Sequence, residues 1–331
     1  MTSETPTATA PALTGSDAET VAAPARTGSD ASAAAPAASE ADRSPSVAAP
    51  RVQLRSLDTL WFQVAGTVCN LACGHCFISC SPTNHTHETM PLDEVERHLA
   101  DAVKLGVKEY YFTGGEPFLN PEMETILAAA LAVGPATVLT NGLLLDPARC
   151  RRLAELAAGA DHSLDLRVSL DGYDAASNDP IRGDGTFERA VEGVGNLVAA
   201  GIDPVLTVTE VHDNATEGGK ERFFELLRGL GIDKPRLKVL PLFRIGAEAE
   251  RAGAYESWQR LAAGDDGGEG WDHLQCSACR MVTGHGVWVC PILVNEPAGK
   301  MGETLADALG DYPLEHAACW TCHVYGVSCR T

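Results

Sequence analysis

Short apolar runs alternate with longer amphipathic ones from residue 51 to residue 240. Leu60-Trp61-Phe62-Gln63-Val64 reads as a strand. Residues 91–105 carry Val95, Leu99, Ala102 and Val103 at helical spacing, and Gly106 supplies the stop. The alternation then repeats. Tyr110-Tyr111-Phe112 is followed by a helix over 121–132, and Ala136-Thr137-Val138-Leu139 by a helix over 147–158. Leu166-Arg167-Val168-Ser169-Leu170 precedes a helix over 186–200 in which Thr186 is the expected cap. Strands over 205–208 and 237–240 close the series, with a helix near 222–230 between them. Such alternation predicts an α/β fold, a parallel sheet with helical crossovers. Six units fall short of the eight in a closed barrel. Special residues stand where the strands end, at Cys69, Gly114, Thr140, Asp171, Asn214 and Arg244. Active sites of parallel sheets lie along that edge.

Composition separates residues 1–50 from the rest. They are rich in Ala, Pro, Ser and Thr, have no aromatics and few large aliphatics, and are expected to be disordered. Their start lacks the basic and apolar blocks of a secretory signal, and no later stretch is apolar enough to span a bilayer. A cytoplasmic setting is expected, in which the eleven cysteines serve as metal or redox ligands rather than disulfides. Lys and Arg number 25 against 45 Asp and Glu, a formal charge of −20. That balance argues against nucleic acid and anionic lipid as partners. The domain reading is a disordered extension (1–50), a core (51–250) and a cysteine-rich C-terminal part (251–331).

Cys69-Asn70-Leu71-Ala72-Cys73-Gly74-His75-Cys76 carries the chemistry. Three soft ligands on one loop suit a four-iron cluster with one iron left open to a small molecule. Gly114-Gly115-Glu116-Pro117 ends the second strand, Thr140-Asn141-Gly142 the third and Ser169-Leu170-Asp171-Gly172 the fourth. These motifs, in this order over residues 60–244, resemble the radical S-adenosylmethionine (SAM) superfamily. The resemblance implies a partial (β/α)6 TIM barrel, a 4Fe-4S cluster on Cys69, Cys73 and Cys76, and SAM chelating the open iron. It also implies reductive cleavage of SAM to a 5′-deoxyadenosyl radical, with a flavodoxin or ferredoxin as electron donor. Gly114 and Gly115 allow close backbone approach to the SAM ammonium, Glu116 would add negative charge nearby, and Pro117 completes the turn. Asn141, Ser169 and Asp171 are candidate SAM contacts, the last two alternatively polar strand ends that cap the next loop. Arg182 either grips the SAM carboxylate or forms a surface ion pair.

His75 stands where the family has an aromatic residue before the third cysteine, and as a planar ring it fills that place. Cys80 is read as a spare buried thiol, and His85 and His87 as polar loop residues. A second concentration of cysteines follows: Cys276, Cys279, Cys290, Cys319, Cys322 and Cys329. Residues 281–289 read as a β-hairpin, and Cys319-Trp320-Thr321-Cys322 has a spacing that zinc also uses. After such a core, the group resembles the Twitch/SPASM extension. That implies one auxiliary 4Fe-4S cluster on Cys276, Cys290, Cys319 and Cys322, with Cys279 a possible hydrogen-atom donor.

Twitch enzymes of this kind include dehydrogenases and epimerases of aminocyclitol antibiotic biosynthesis. The expected reaction is oxidation of a secondary alcohol of an aminocyclitol or sugar to a ketone. The alternatives are epimerisation with a cysteine donor, modification of a ribosomal peptide, and a non-catalytic iron–sulfur or zinc protein.

Overall fold

The computed structural model describes residues 49–326. Nearly all of the extension expected to be disordered, and Cys329, lie outside them. The described chain builds an α/β partial barrel on a nine-stranded sheet. Strands β2 (Thr59–Gln63), β3 (Glu109–Thr113), β4 (Ala136–Thr140), β5 (Leu164–Ser169), β6 (Val205–Thr209) and β7 (Arg236–Leu240) pair in order and in parallel. Helices α1 (Leu92–Leu105), α2 (Met123–Leu131), α3 (Pro147–Gly159), α5 (Thr186–Ala199) and α6 (Glu217–Gly229) make the crossovers. The sheet stays open, with β7 at one edge.

The hairpin expected in the C-terminal part forms as β8 (Cys279–Thr283) and β9 (Gly286–Trp288), with Met281 opposite Trp288. Its placement was not legible in the sequence. β8 pairs in parallel with β2, Trp61 opposite Met281, so the C-terminal part continues the core sheet; β10 (Lys300–Gly302) then lies antiparallel to β9. A short antiparallel pair of β1 (Arg51–Val52) and β11 (Tyr312–Pro313) ties the start of the described chain to its end.

Alternation along the strands separates two apolar clusters. Leu60, Phe62, Tyr110, Phe112, Val138, Leu166 and Leu206 face the crossover helices. Trp61, Tyr111 and Met281 face the other way and pack with Ile78, Phe243, Leu274 and most of the cysteines. The apolar requirement on both faces explains the near-continuous hydrophobic runs.

Two local features differ from the sequence reading. Thr186 is the first helical residue of α5 and not its cap; Gly185 takes that place at φ +71°, and the Thr186 hydroxyl donates to Gly183 O at 2.7 Å. An extra helix, α4 (Ala175–Arg182), precedes it despite Pro180. A reciprocal cap between Asp174 and Ser177 starts this helix, which is short enough to lose little to the proline. No helix among the described residues is long and apolar enough to cross a membrane.

Candidate functional site

The loop after β2 holds Cys69, Cys73 and Cys76 against the C-terminal edge of the sheet. A bridge between Val68 and Ser81 closes it on itself, Gly74 N donates to Ile181 O at 2.9 Å, and Ala247 N donates to Cys76 O at 3.0 Å. Gly115 lets it sit close: a Cβ there would fall 2.1 Å from Val68 O and 2.8 Å from Cys69 Cβ. All three cysteines line one open cleft of about 1330 Å³.

The sulfurs are met by N–H groups. Leu71 N lies 3.4 Å from Cys69 Sγ, Cys80 N 3.3 Å from Cys76 Sγ, and Asn141 Nδ2 3.8 Å from Cys69 Sγ. Burial pushes the Cys69 thiol up to about 12 and the Cys73 thiol up to about 11. Cys76 moves down to about 6, chiefly because Cys80 gives it an S–H hydrogen bond. Cys69 and Cys73 would ionise readily only when a metal takes up their charge, and Cys76 is already disposed to ionise, so the donor set fits an iron–sulfur cluster. Cys80 itself faces the cleft and stays protonated as the donor.

Gly114, Gly115, Asn141, Ser169 and Arg182 also line the cleft; Glu116, Pro117 and Asp171 stand behind it. Glu116 is fully buried and accepts from Thr140 Oγ1 (2.8 Å), Asn141 N (2.8 Å) and Phe118 N (3.1 Å). Its carboxylate therefore joins the second strand end to the third. Asn141, so held, donates to Asn70 Oδ1 at 2.6 Å within the cysteine loop. Asp171 is fully buried and clamps two cleft residues, Arg182 (Nε–Oδ2 2.6 Å) and His75 (Nε2–Oδ2 2.9 Å). Burial alone would raise its pKa; Arg182 and His75 outweigh that and hold it well below the usual carboxylate range. The partnership of His75 with Asp171 was absent from the sequence reading, in which His75 was only a planar ring. Asn214 binds the carbonyls of Asp171 (2.7 Å) and Thr209 (2.8 Å), and Arg244 is exposed outside the cleft wall.

Cys276, Cys290, Cys319 and Cys322 line a second cavity, of about 360 Å³, whose other walls are mostly aliphatic. Burial raises Cys276 to about 12 and raises Cys290 and Cys319 as well, with neighbouring thiols of the group adding to the rise for Cys276 and Cys319. Cys279 lines neither cavity; its sulfur lies 3.9 Å from Val289 O. Arg280 supports the second cavity and was not foreseen. It is 1% exposed and gives hydrogen bonds to four carbonyls: Ala308 (2.6 Å), Cys276 (2.8 Å), Cys279 (2.7 Å) and Gly310 (2.9 Å). Among the described residues His87 is also buried, its Nε2 3.1 Å from Asn295 Oδ1, so it joins the cysteine loop to the C-terminal part.

Residues 64–227 match the family model of the radical SAM superfamily. Its members use a 4Fe-4S cluster and SAM. The AdoMet-dependent heme synthase of Nitratidesulfovibrio vulgaris is 33% identical over 148 residues, 44% of this chain and 39% of its own length. The mycofactocin maturase MftC of Mycobacterium ulcerans is 30% identical over 222 residues, 65% of this chain and 50% of its own. The chain thus spans half or less of these two relatives. SuiB of Streptococcus suis, solved with S-adenosylmethionine, has the same fold, with a TM-score of 0.57 at 15% identity over 76% of this chain and 64% of that one.

Proposed function

Residues 64–227 belong to the radical SAM superfamily, and from that premise we propose that the chain oxidises a secondary alcohol carbon of a sugar or cyclitol to a ketone. The observation that carries the reading is the pair of thiol-lined cavities in one continuous sheet, three cysteines at the strand edge and four in the C-terminal part. Loaded with SAM and two clusters, they would supply hydrogen-atom abstraction and a one-electron acceptor, the two one-electron steps that alcohol oxidation needs.

The chain's own residues divide the remaining work. Cys69, Cys73 and Cys76 would hold the first cluster, with the N–H groups of Leu71, Cys80 and Asn141 tuning their sulfurs. Arg182, fixed by Asp171, presents a guanidinium to the cleft for a SAM carboxylate. Cys276, Cys290, Cys319 and Cys322 would hold the second cluster. All four side chains line one mostly aliphatic cavity, and four thiolates are a donor set that a 4Fe-4S cluster takes. Cys279 and Cys150 lie outside the cleft wall, which removes two of the three candidate thiol donors for epimerisation, while Cys80 lines the cleft and keeps that alternative open. Peptide modification is the second reading, favoured by the likeness to a maturase over 65% of this chain.

The test uses reconstituted protein with SAM, reductant and candidate sugars and cyclitols in D2O. Product lighter by two hydrogens supports oxidation. Product of unchanged mass apart from one deuterium gained means epimerisation and refutes it.

A further inference from the structure

We propose that the substrate is an uncharged polyol whose hydroxyls bind two uncommitted side chains on the floor of the cleft, Trp61 and Thr207. This rests on reading the cleft as the site of alcohol oxidation, and it names the chemistry of what the cleft holds. Trp61 lies on β2 and Thr207 on β6, each two residues before its strand ends. Leu60, Phe62, Leu206 and Val208 pack on the side of the crossover helices. Alternation therefore turns Trp61 and Thr207 toward the cleft, whose wall includes both. Strands β3, β4 and β5 stand between them, so the two side chains reach the cleft from separate parts of its wall.

Trp61 Nε1 and Thr207 Oγ1 are buried and find no hydrogen-bond partner among the described residues. Their residues are 3% and 5% exposed. Neither can readily turn to find a partner. Trp61 stacks on Tyr111 with ring centroids 4.4 Å apart. Thr207 is stiff at χ1, and its carbonyl is held by Leu170 N at 3.0 Å. Buried polar atoms left unmet are costly, so both sites favour a ligand that meets them. An indole N–H only donates, whereas a hydroxyl donates or accepts. Substrate hydroxyls satisfy either.

The charged groups of the wall are already engaged. Arg182 and His75 share Asp171, at 2.6 and 2.9 Å. Arg167 lies 5.1 Å from the Tyr111 ring centre, with Nη2 3.5 Å from the Tyr111 hydroxyl, which donates to Glu109 at 3.2 Å. The wall includes no Asp or Glu among the described residues. A substrate ammonium would meet no counter-charge there, and a carboxylate only guanidiniums with partners of their own. Burial disfavours both. Leu71, Phe77, Ile78, Leu139, Leu240 and Phe243 supply apolar wall for the C–H faces of a ring. Neutral hydrogen-bonding groups set in such a wall match a ring that bears hydroxyls and no charge.

The experiment measures binding of glucose, myo-inositol, glucosamine and glucuronate to the reconstituted, SAM-saturated full chain by calorimetry at neutral pH. The better neutral probe is expected to bind about tenfold or more tighter than either charged one. Thr207→Val, a nearly isosteric change, weakens it about fivefold, and Thr207→Ser restores most of the loss. Trp61→Phe, which keeps a ring and removes the N–H, weakens it by a similar factor. SAM affinity is unchanged in all three variants. A hydroxyl with a structural role would cost stability when removed; an unmet one does not, so ligand-free Thr207→Val melts at or above wild type. Charged probes that bind as tightly as neutral ones overturn the proposal, as do neutral probes that fail to bind at millimolar concentration. So does a Thr207→Val variant that binds them like wild type, melts lower, or loses SAM affinity. Product lighter by two hydrogens reports the oxidation reading separately. Polyol preference without that product refutes only the reading beneath; oxidised product without polyol preference refutes this proposal alone.

Discussion

Gly115→Ala isolates the contact between the cysteine loop and the sheet edge. The added methyl would stand 2.1 Å from Val68 O, where an ordinary contact needs about 3.2 Å. The loop must therefore retreat by about 1 Å, taking Cys69 with it. Two backbone hydrogen bonds hold the surfaces together, Gly115 N to Gly66 O at 2.9 Å and Glu116 N to Val68 O at 3.1 Å, and the second lies directly on the displaced carbonyl. Overpacking costs about 1–3 kcal/mol and a lost hydrogen bond about 1 kcal/mol, so about 2–4 kcal/mol is expected. For a chain of this size that lowers Tm by about 4–10 °C. The functional effect is larger, because a ligand moved by about 1 Å no longer meets a metal position set to within about 0.2 Å. Iron per chain after reconstitution should fall by about four, while the second site keeps its iron. Gly195→Ala is the control: a Cβ there meets nothing within 4 Å, in the middle of α5, and should stabilise by up to about 1 kcal/mol. If Gly115→Ala melts with wild type and retains full iron, the close approach is wrong.

Asp171→Asn leaves Arg182 buried without its counter-charge, at a cost of about 3–5 kcal/mol; Tm falls by about 6 °C or more, and SAM binding measured by calorimetry weakens. Cys80→Ala keeps the iron of the first site, since its backbone N–H to Cys76 survives, whereas Cys76→Ala loses about four irons. Alanine at Cys276, Cys290, Cys319 or Cys322 removes about four irons by analysis, and Cys279→Ala removes none. Arg280→Lys cannot serve four carbonyls from one ammonium; a Tm loss of about 4 °C or more and partial loss of iron from the second site are expected.

The barrel was legible because both sheet faces are covered, so each strand reads as an unbroken apolar run such as Leu60-Trp61-Phe62. The cysteine loop and the Gly-Gly-Glu-Pro turn were legible because their chemistry is local in the chain. What escaped is non-local. Nothing within residues 279–283 marks β8 as a parallel partner of β2, since a hairpin carries the same alternation wherever it docks. The contact of Asp171 with His75 joins two loops far apart in sequence, and each residue alone has an adequate local explanation. Glu116 reads as a charge near SAM, yet Thr140 and Asn141 consume its hydrogen bonds. Arg280 reads as a polar interruption of an apolar strand until the four carbonyls around it are seen. Pro180 hid α4 because a proline signals a break, while the Asp174 cap that compensates is visible only in three dimensions.

The central claim is that the strand-edge cleft, with Cys69, Cys73 and Cys76, is a SAM-cleaving site. Anaerobically reconstituted and reduced protein should convert SAM to 5′-deoxyadenosine, detected by mass spectrometry, and Cys73→Ala should form none. A fully iron-loaded wild type that forms no 5′-deoxyadenosine, or a Cys73→Ala variant that forms as much, would contradict the account.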